Sequence, residues 1–221
     1  AKRLIGKNDE MLLNQGAVLI ESYINKIRDL GYPGVYIEDS LSEGLTVQEA
    51  IDENLRASAV KTIKETFHSI YNGTRLSMAQ INGINSIVRE ITDCILSNRE
   101  AMINMIDLKV FDDYTFYHSV NVGVLSLVIG TSMGCFNKEQ LYALGLSSIL
   151  HDIGKMFISP EILNKSGLLT RNEFDIVKGH SYLGYKYLRQ NFDIPPSSYI
   201  GVLQHHEKYT GDGYPDKISG K

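Results

Sequence analysis

The run Ser119 to Asn137, SVNVGVLSLVIGTSMGCFN, is the longest stretch of the chain without Asp, Glu, Lys, Arg or His. Its length approaches the roughly 20 residues that a helix needs to cross a bilayer. Asn121, Ser126, Thr131 and Ser132 dilute its apolar content, however, and His118 and Lys138 bracket it. A helix of that kind is expected inside a protein core, with no membrane insertion. The fold class turns on this reading, because a buried helix needs other helices packed around it.

Those helices are legible on both sides. Helices are expected over about 114–133 and 138–151, and another after Ser159-Pro160, where Pro suits the first helical position. Thr170-Arg171-Asn172-Glu173 fits a capping box opening a helix through about residue 190, and Pro195-Pro196-Ser197 begins a short helix ending near His206. Upstream, Ser77-Met78-Ala79-Gln80 opens a helix with the stripe Ile81, Ile84, Val88, Ile91 and Ile95. Thr46-Val47-Gln48-Glu49 fits a further capping box, ahead of Ile51, Leu55, Val60, Ile63, Phe67 and Ile70, with Asn72-Gly73 as the stop. Both stripes are read as intramolecular core; a homodimer seam is the alternative. Residues 1–45 form a small mixed module: Ile20, Ile24, Ile27 and Leu30 recur at helical spacing, Gly31-Tyr32-Pro33-Gly34 stops them, and Val35-Tyr36-Ile37 is β-prone.

The whole chain has 221 residues, 43% of them hydrophobic, with 22 Lys and Arg against 26 Asp and Glu for a net charge of −4. That much apolar surface excludes a disordered chain. The slightly acidic balance argues against a nucleic-acid polymer as partner. Two cysteines, Cys94 and Cys135, neither build a disulfide scaffold nor pair as metal ligands, so a reducing, cytoplasmic setting is expected. The N-terminal AKRLIGKNDE has no apolar signal region, and the lack of an initiating Met is read as the mark of a fragment.

Six histidines are present, and five of them, His118, His151, His180, His205 and His206, fall at or near the ends or apolar sides of expected helices. His68 is read as a bystander. Asp152 directly follows His151. Imidazole and carboxylate together suit Fe, Mn, Zn and similar divalent ions, and the absence of cysteine from the set disfavours a structural zinc site. Five imidazoles and a carboxylate exceed the needs of one tetrahedral ion. Two ions are the natural reading, with Asp152 bridging them and a water or hydroxide between, an arrangement suited to in-line phosphoryl displacement.

At this point the sequence resembles a known family. His151-Asp152 with upstream His118 is similar to the HD superfamily of metal-dependent phosphohydrolases, and His151-Asp152-Ile153-Gly154-Lys155, His205-His206-Glu207 and Gly213-Tyr214-Pro215 resemble the HD-GYP family. His180, in His180-Ser181-Tyr182-Leu183-Gly184, falls where that family places its intervening His. The resemblance covers roughly residues 105–221. It implies an HD-type helical bundle, the HD-GYP domain, from residue 105; with the periodicity read upstream, the expected fold is mainly α, with the small N-terminal α/β module at 1–45 and a helical connector at 46–104.

It further implies a bacterial phosphodiesterase that hydrolyses cyclic di-GMP to linear pGpG and/or GMP through a metal-activated hydroxide. The implied ligands of two divalent transition-metal ions, Fe or Mn favoured, are His118, His151, Asp152, His180, His205 and His206. Lys155 lies one turn from Asp152, where its ammonium can neutralise a phosphate oxygen; Asp152 and Lys155 are thus the candidate catalytic residues. Lys155 and Tyr214 are the candidate substrate contacts, and the Gly213-Tyr214-Pro215 loop is a candidate contact for a signalling protein. Glu207 is expected either to orient a neighbouring His or to be solvated.

Two departures from the family stand out. Tyr114 occupies a position where some three-metal members carry Glu, which favours two metals. The family continues past Gly-Tyr-Pro to a further Asp ligand on a later helix, whereas this sequence ends at Lys221, so the domain is expected to be truncated and the protein to continue. Two other functions stand beside the phosphodiesterase: a catalytically weak or inactive HD-fold signalling module, as in HDOD relatives, and a phosphohydrolase for another nucleotide.

Overall fold

The computed structural model describes residues 4–5, 11–14, 16–30, 35, 37–40, 50–98 and 114–220. The expected domain boundaries at 45/46 and 104/105 and the capping box at 46–49 lie outside these residues. Near the N-terminus β1 (Leu4–Ile5) pairs antiparallel with β2 (Met11–Leu13), placing Leu4 opposite Leu13. Strands were not expected there; Val35 and Ile37 of the β-prone run are not in a strand. Helix α1 (Glu21–Asp29) follows the anticipated periodicity, but only Ile27 of its stripe is buried.

The body is helical. Helix α2 (Glu53–Tyr71) is capped by Asp52, whose carboxylate accepts the Leu55 amide at 2.9 Å. It buries Val60, Ile63, Phe67 and Ile70. Helix α3 (Met78–Ser97) starts on the Ser77–Gln80 capping box and buries Ile81, Ile84, Val88, Ile91 and Ile95. Both stripes join one hydrophobic cluster with α4 (Tyr114–Met133), α5 (Lys138–Leu150), α8 (His180–Asn191) and α9 (Pro196–Gln204). They are intramolecular core, as the spacing predicts.

Helix α4 contains the run that opened the sequence reading. By length and composition Phe116–Met133 could cross a membrane, but 44% of it is buried against protein. It packs on α2, α3 and α5. Gly123 makes the α4–α5 approach close, since a Cβ there would overlap the Ile149 side chain. Asn121, buried one turn beyond His118, accepts a hydrogen bond from the Arg56 guanidinium of α2.

One expected helix is two. Helix α7 (Arg171–Lys178) begins on the Thr170–Glu173 capping box, as anticipated, but ends at Gly179, and α8 starts at His180. The short α6 (Pro160–Leu163) follows Ser159, also as anticipated. The break after α7 frees carbonyls in its last turn, and one of them serves the site described next.

Candidate metal centre

Three histidines occupy equivalent local positions, each just past a helix C-terminus. The Nδ1 of His151, after α5, donates to the Ser148 carbonyl at 2.7 Å. That of His180, after α7, donates to Val177 at 2.6 Å, and that of His205, after α9, to Val202 at 2.8 Å. A carbonyl can only accept, so each Nδ1 carries the proton and each Nε2 presents a lone pair. The acceptors are the C-terminal carbonyls that a helix leaves without partners. One backbone device, used three times, therefore sets the tautomer and the ring direction.

The Nε2 atoms converge on Asp152, which is 2% exposed. Its Oδ2 faces His151 at 3.1 Å, His118 at 4.0 Å and the Lys155 ammonium at 2.7 Å. Its Oδ1 faces His180 at 3.4 Å and His205 at 3.9 Å. Two three-donor groups result, His118–His151–Asp152 and His180–His205–His206, with the donor atoms of each within 4.8 Å of one another. The carboxylate stands between them, one oxygen toward each. Gly154 permits this arrangement: a Cβ there would overlap the His180 carbonyl oxygen, so only glycine lets the turn Ile153–Phe157 press its backbone onto the start of α8.

The electrostatics ask for a cation. Burial would raise the Asp152 carboxyl, but the surrounding imidazoles of His151 and His180 and the Lys155 ammonium at 2.7 Å outweigh it and hold it well below the usual carboxylate range. Burial pushes His205 down to about 3 against the opposing Val202 bond, and pushes His206 down to about 4. Burial also lowers His118. His180 and His205 meet Nε2 to Nε2 at 3.0 Å. Two neutral rings offer no proton for that contact, whereas a cation between them satisfies both lone pairs. The donor set therefore fits a divalent metal centre of imidazole and carboxylate character.

All six candidate ligands are brought together, and Lys155 and Tyr214 lie with them. Tyr214 stacks on His206, centroids 4.6 Å apart and planes at 23°, and burial pushes its hydroxyl up to about 12. The side chain of Tyr114 lies outside the described residues. His68 is exposed and edge-on to Phe116, apart from both donor groups. Glu207 neither orients a ring directly nor is merely solvated: its carboxylate accepts the backbone amides of Asp216, Lys217 and Ile218. Lys178 was not singled out in the sequence. Its ammonium sits 4.7 Å from the Phe174 ring centroid and 5.9 Å from that of Tyr214. Its position two residues before His180 is the only signal that could have drawn attention to it.

A buried histidine–aspartate centre of metal-ligand type in a helical domain is what the fold and the site define, and comparison with known proteins assigns the domain to a family. The chain belongs to the HD domain family, which residues 95–221 match. Its ordered motifs, and the cyclic di-GMP phosphodiesterases among its relatives, agree with the HD-GYP type. It is 32% identical over 169 residues to a cyclic di-GMP phosphodiesterase of Pseudomonas aeruginosa, covering 75% of this chain and 41% of that protein. It is 39% identical over 105 residues to a cyclic di-GMP phosphodiesterase of Thermotoga maritima, covering 47% of this chain and 28% of that one. A 3'3'-cGAMP-specific phosphodiesterase of Vibrio cholerae is 34% identical over 127 residues, covering 57% and 28% respectively. The chain thus spans less than half the length of these relatives. No solved structure matches it.

Proposed function

We propose that this chain carries the metal centre of a phosphodiesterase that hydrolyses cyclic di-GMP to pGpG and/or GMP, with two divalent ions, Fe or Mn, held by His118, His151, Asp152, His180, His205 and His206. The observation that carries this reading is the placement of Asp152, whose two oxygens face opposite three-donor groups. Bound divalent ions supply Lewis-acid activation of water and neutralise charge on a phosphoryl group. The protein's own part is positional. Carbonyls of Ser148, Val177 and Val202 hold three imidazoles in the ligand tautomer. The Lys155 side chain is 32% exposed, so its ammonium can donate to a substrate phosphate oxygen while it stays beside Asp152. Tyr214, neutral and stacked on His206 with the Lys178 ammonium 5.9 Å from its ring centroid, is the candidate contact for a guanine base.

The similarity to proteins named as cyclic di-GMP phosphodiesterases supports the substrate. A second substrate, 3'3'-cGAMP, is favoured by the Vibrio cholerae relative. Hydrolysis of both dinucleotides by the Mn²⁺-loaded full-length protein, followed by product chromatography, tests the reading. We expect turnover of cyclic di-GMP and a loss of about 100-fold or more in Asp152→Ala. Activity unchanged by Asp152→Ala would refute it, and turnover of 3'3'-cGAMP alone would assign the second substrate.

A further inference from the structure

His206 differs from the other ligands of its group. His180 and His205 are locked by hydrogen bonds to helix carbonyls, but among the described residues His206 makes no such bond. Its ring is bounded by His205, with centroids 4.2 Å apart, and by the stacked Tyr214. Tyr214 in turn belongs to a loop closed onto the end of α9. Gly213 lies against the His206–Glu207 backbone, where a Cβ would overlap Lys208 N, and the Tyr214 amide donates to the His206 carbonyl at 3.3 Å.

The loop is clipped at its centre by Glu207. One carboxylate oxygen accepts the Asp216 amide at 2.6 Å and the Lys217 amide at 3.0 Å; the other accepts the Ile218 amide at 3.0 Å. Three successive N–H groups, with Lys217 in the left-handed region at φ 56°, make a concavity that binds an anion, and the protein fills it with its own carboxylate. Gln204 adds a bond to Asp216 at 2.9 Å. Glu207 adjoins His206 in sequence, so the clip and the ligand share one backbone.

We propose that Glu207 is a positioning residue for the metal ligand His206, acting through the clipped loop and the stacked Tyr214 ring in place of a direct hydrogen bond. A carboxylate that neighbours a ligand histidine thus orients it by an aromatic contact. The role requires the Tyr214 ring and not its hydroxyl. It rests on the reading of His206 as a metal ligand.

Calorimetric titration of the full-length protein with Mn²⁺, together with ¹⁵N spectra of the histidine rings in the metal-free protein, tests it. Glu207→Ala and Tyr214→Leu should each weaken Mn²⁺ binding about tenfold or more, the range found for residues that orient ligands. The double variant should be no weaker than the worse single, because both act through one contact. Tyr214→Phe should bind like wild type. In the spectra the His206 ring signals should shift or broaden in both variants while those of His151 stay in place, a selectivity that general destabilisation would not give. Folded Glu207→Ala or Tyr214→Leu binding Mn²⁺ as wild type does would overturn the inference. If Glu207→Ala fails to fold, Tyr214→Leu decides alone. Wild-type protein that takes up no Mn²⁺ would instead remove the metal-centre reading beneath it.

Discussion

Helices α3 and α4 are each 20 residues long and neighbours in one core, yet they solve burial differently. Helix α3 has one apolar face and a polar back, with exposed Arg89 and Glu90 in water. Helix α4 is apolar on most sides, packs on α2, α3 and α5, and takes several polar groups inside the protein. Asn121 is paired there with Arg56, His118 faces Asp152, and the buried Ser119 hydroxyl has no hydrogen-bond partner among the described residues. The helix that costs more to bury its polar groups is the one that carries a candidate ligand.

Substitutions on the two helices can sharpen or break this contrast. The largest effect is expected from Ile91→Ala on α3: Ile91 is 0% exposed, and a loss of about 2–5 kcal/mol is expected from denaturant unfolding. Ile129→Ala on the more apolar α4 should cost less than about 0.5 kcal/mol, because Ile129 is 52% exposed. Equal losses would break the comparison.

The mid-helix glycines come next. Gly123→Ala on α4 should destabilise by about 1–3 kcal/mol, since its Cβ would overlap Ile149. The same change at Gly83 on α3 meets only the Thr62 methyl at 3.6 Å and should stabilise by about 0.5–1 kcal/mol. Thermal melts of the pair read the opposite signs directly.

The smallest effect separates two capping boxes. That of α3 uses the neutral Gln80, whereas that of α7 uses Glu173, whose carboxyl is held at about 2 by hydrogen bonds from Lys165 and Thr170. A depressed carboxyl contributes stability above its unfolded value, near 4.5, and that contribution fades as pH falls through about 2. Local protection against hydrogen exchange at α7, measured relative to the intrinsic rate, should therefore fall at low pH in wild type, with a weaker pH dependence in Glu173→Gln. The head of α3 should show no such dependence from its cap.

Much of this was legible because the signals are local. The capping boxes at Ser77 and Thr170, the apolar stripes of α2 and α3 and the ordered histidine motifs each lie within a few residues, where periodicity and residue type speak directly. The break at Gly179 was missed because Arg171 to Asn191 has helix-forming periodicity throughout, and the need for it arises from the placement of His180 against Asp152. The clip at Glu207 was missed for a similar reason: its partners are amides nine to eleven residues away, and backbone amides leave no mark in a sequence.

Residue order by itself determined a mainly helical chain, its family and the side chains available as ligands. Only the tertiary structure decided that Asp152 turns one oxygen to each donor group, that three histidines share a helix-end carbonyl device and that His206 is held by a ring. The physical reason is directional. Ligand type is a property of a residue, but the direction of a lone pair is set by the groups around it, and here those groups are carbonyls, amides and rings brought in from other parts of the chain.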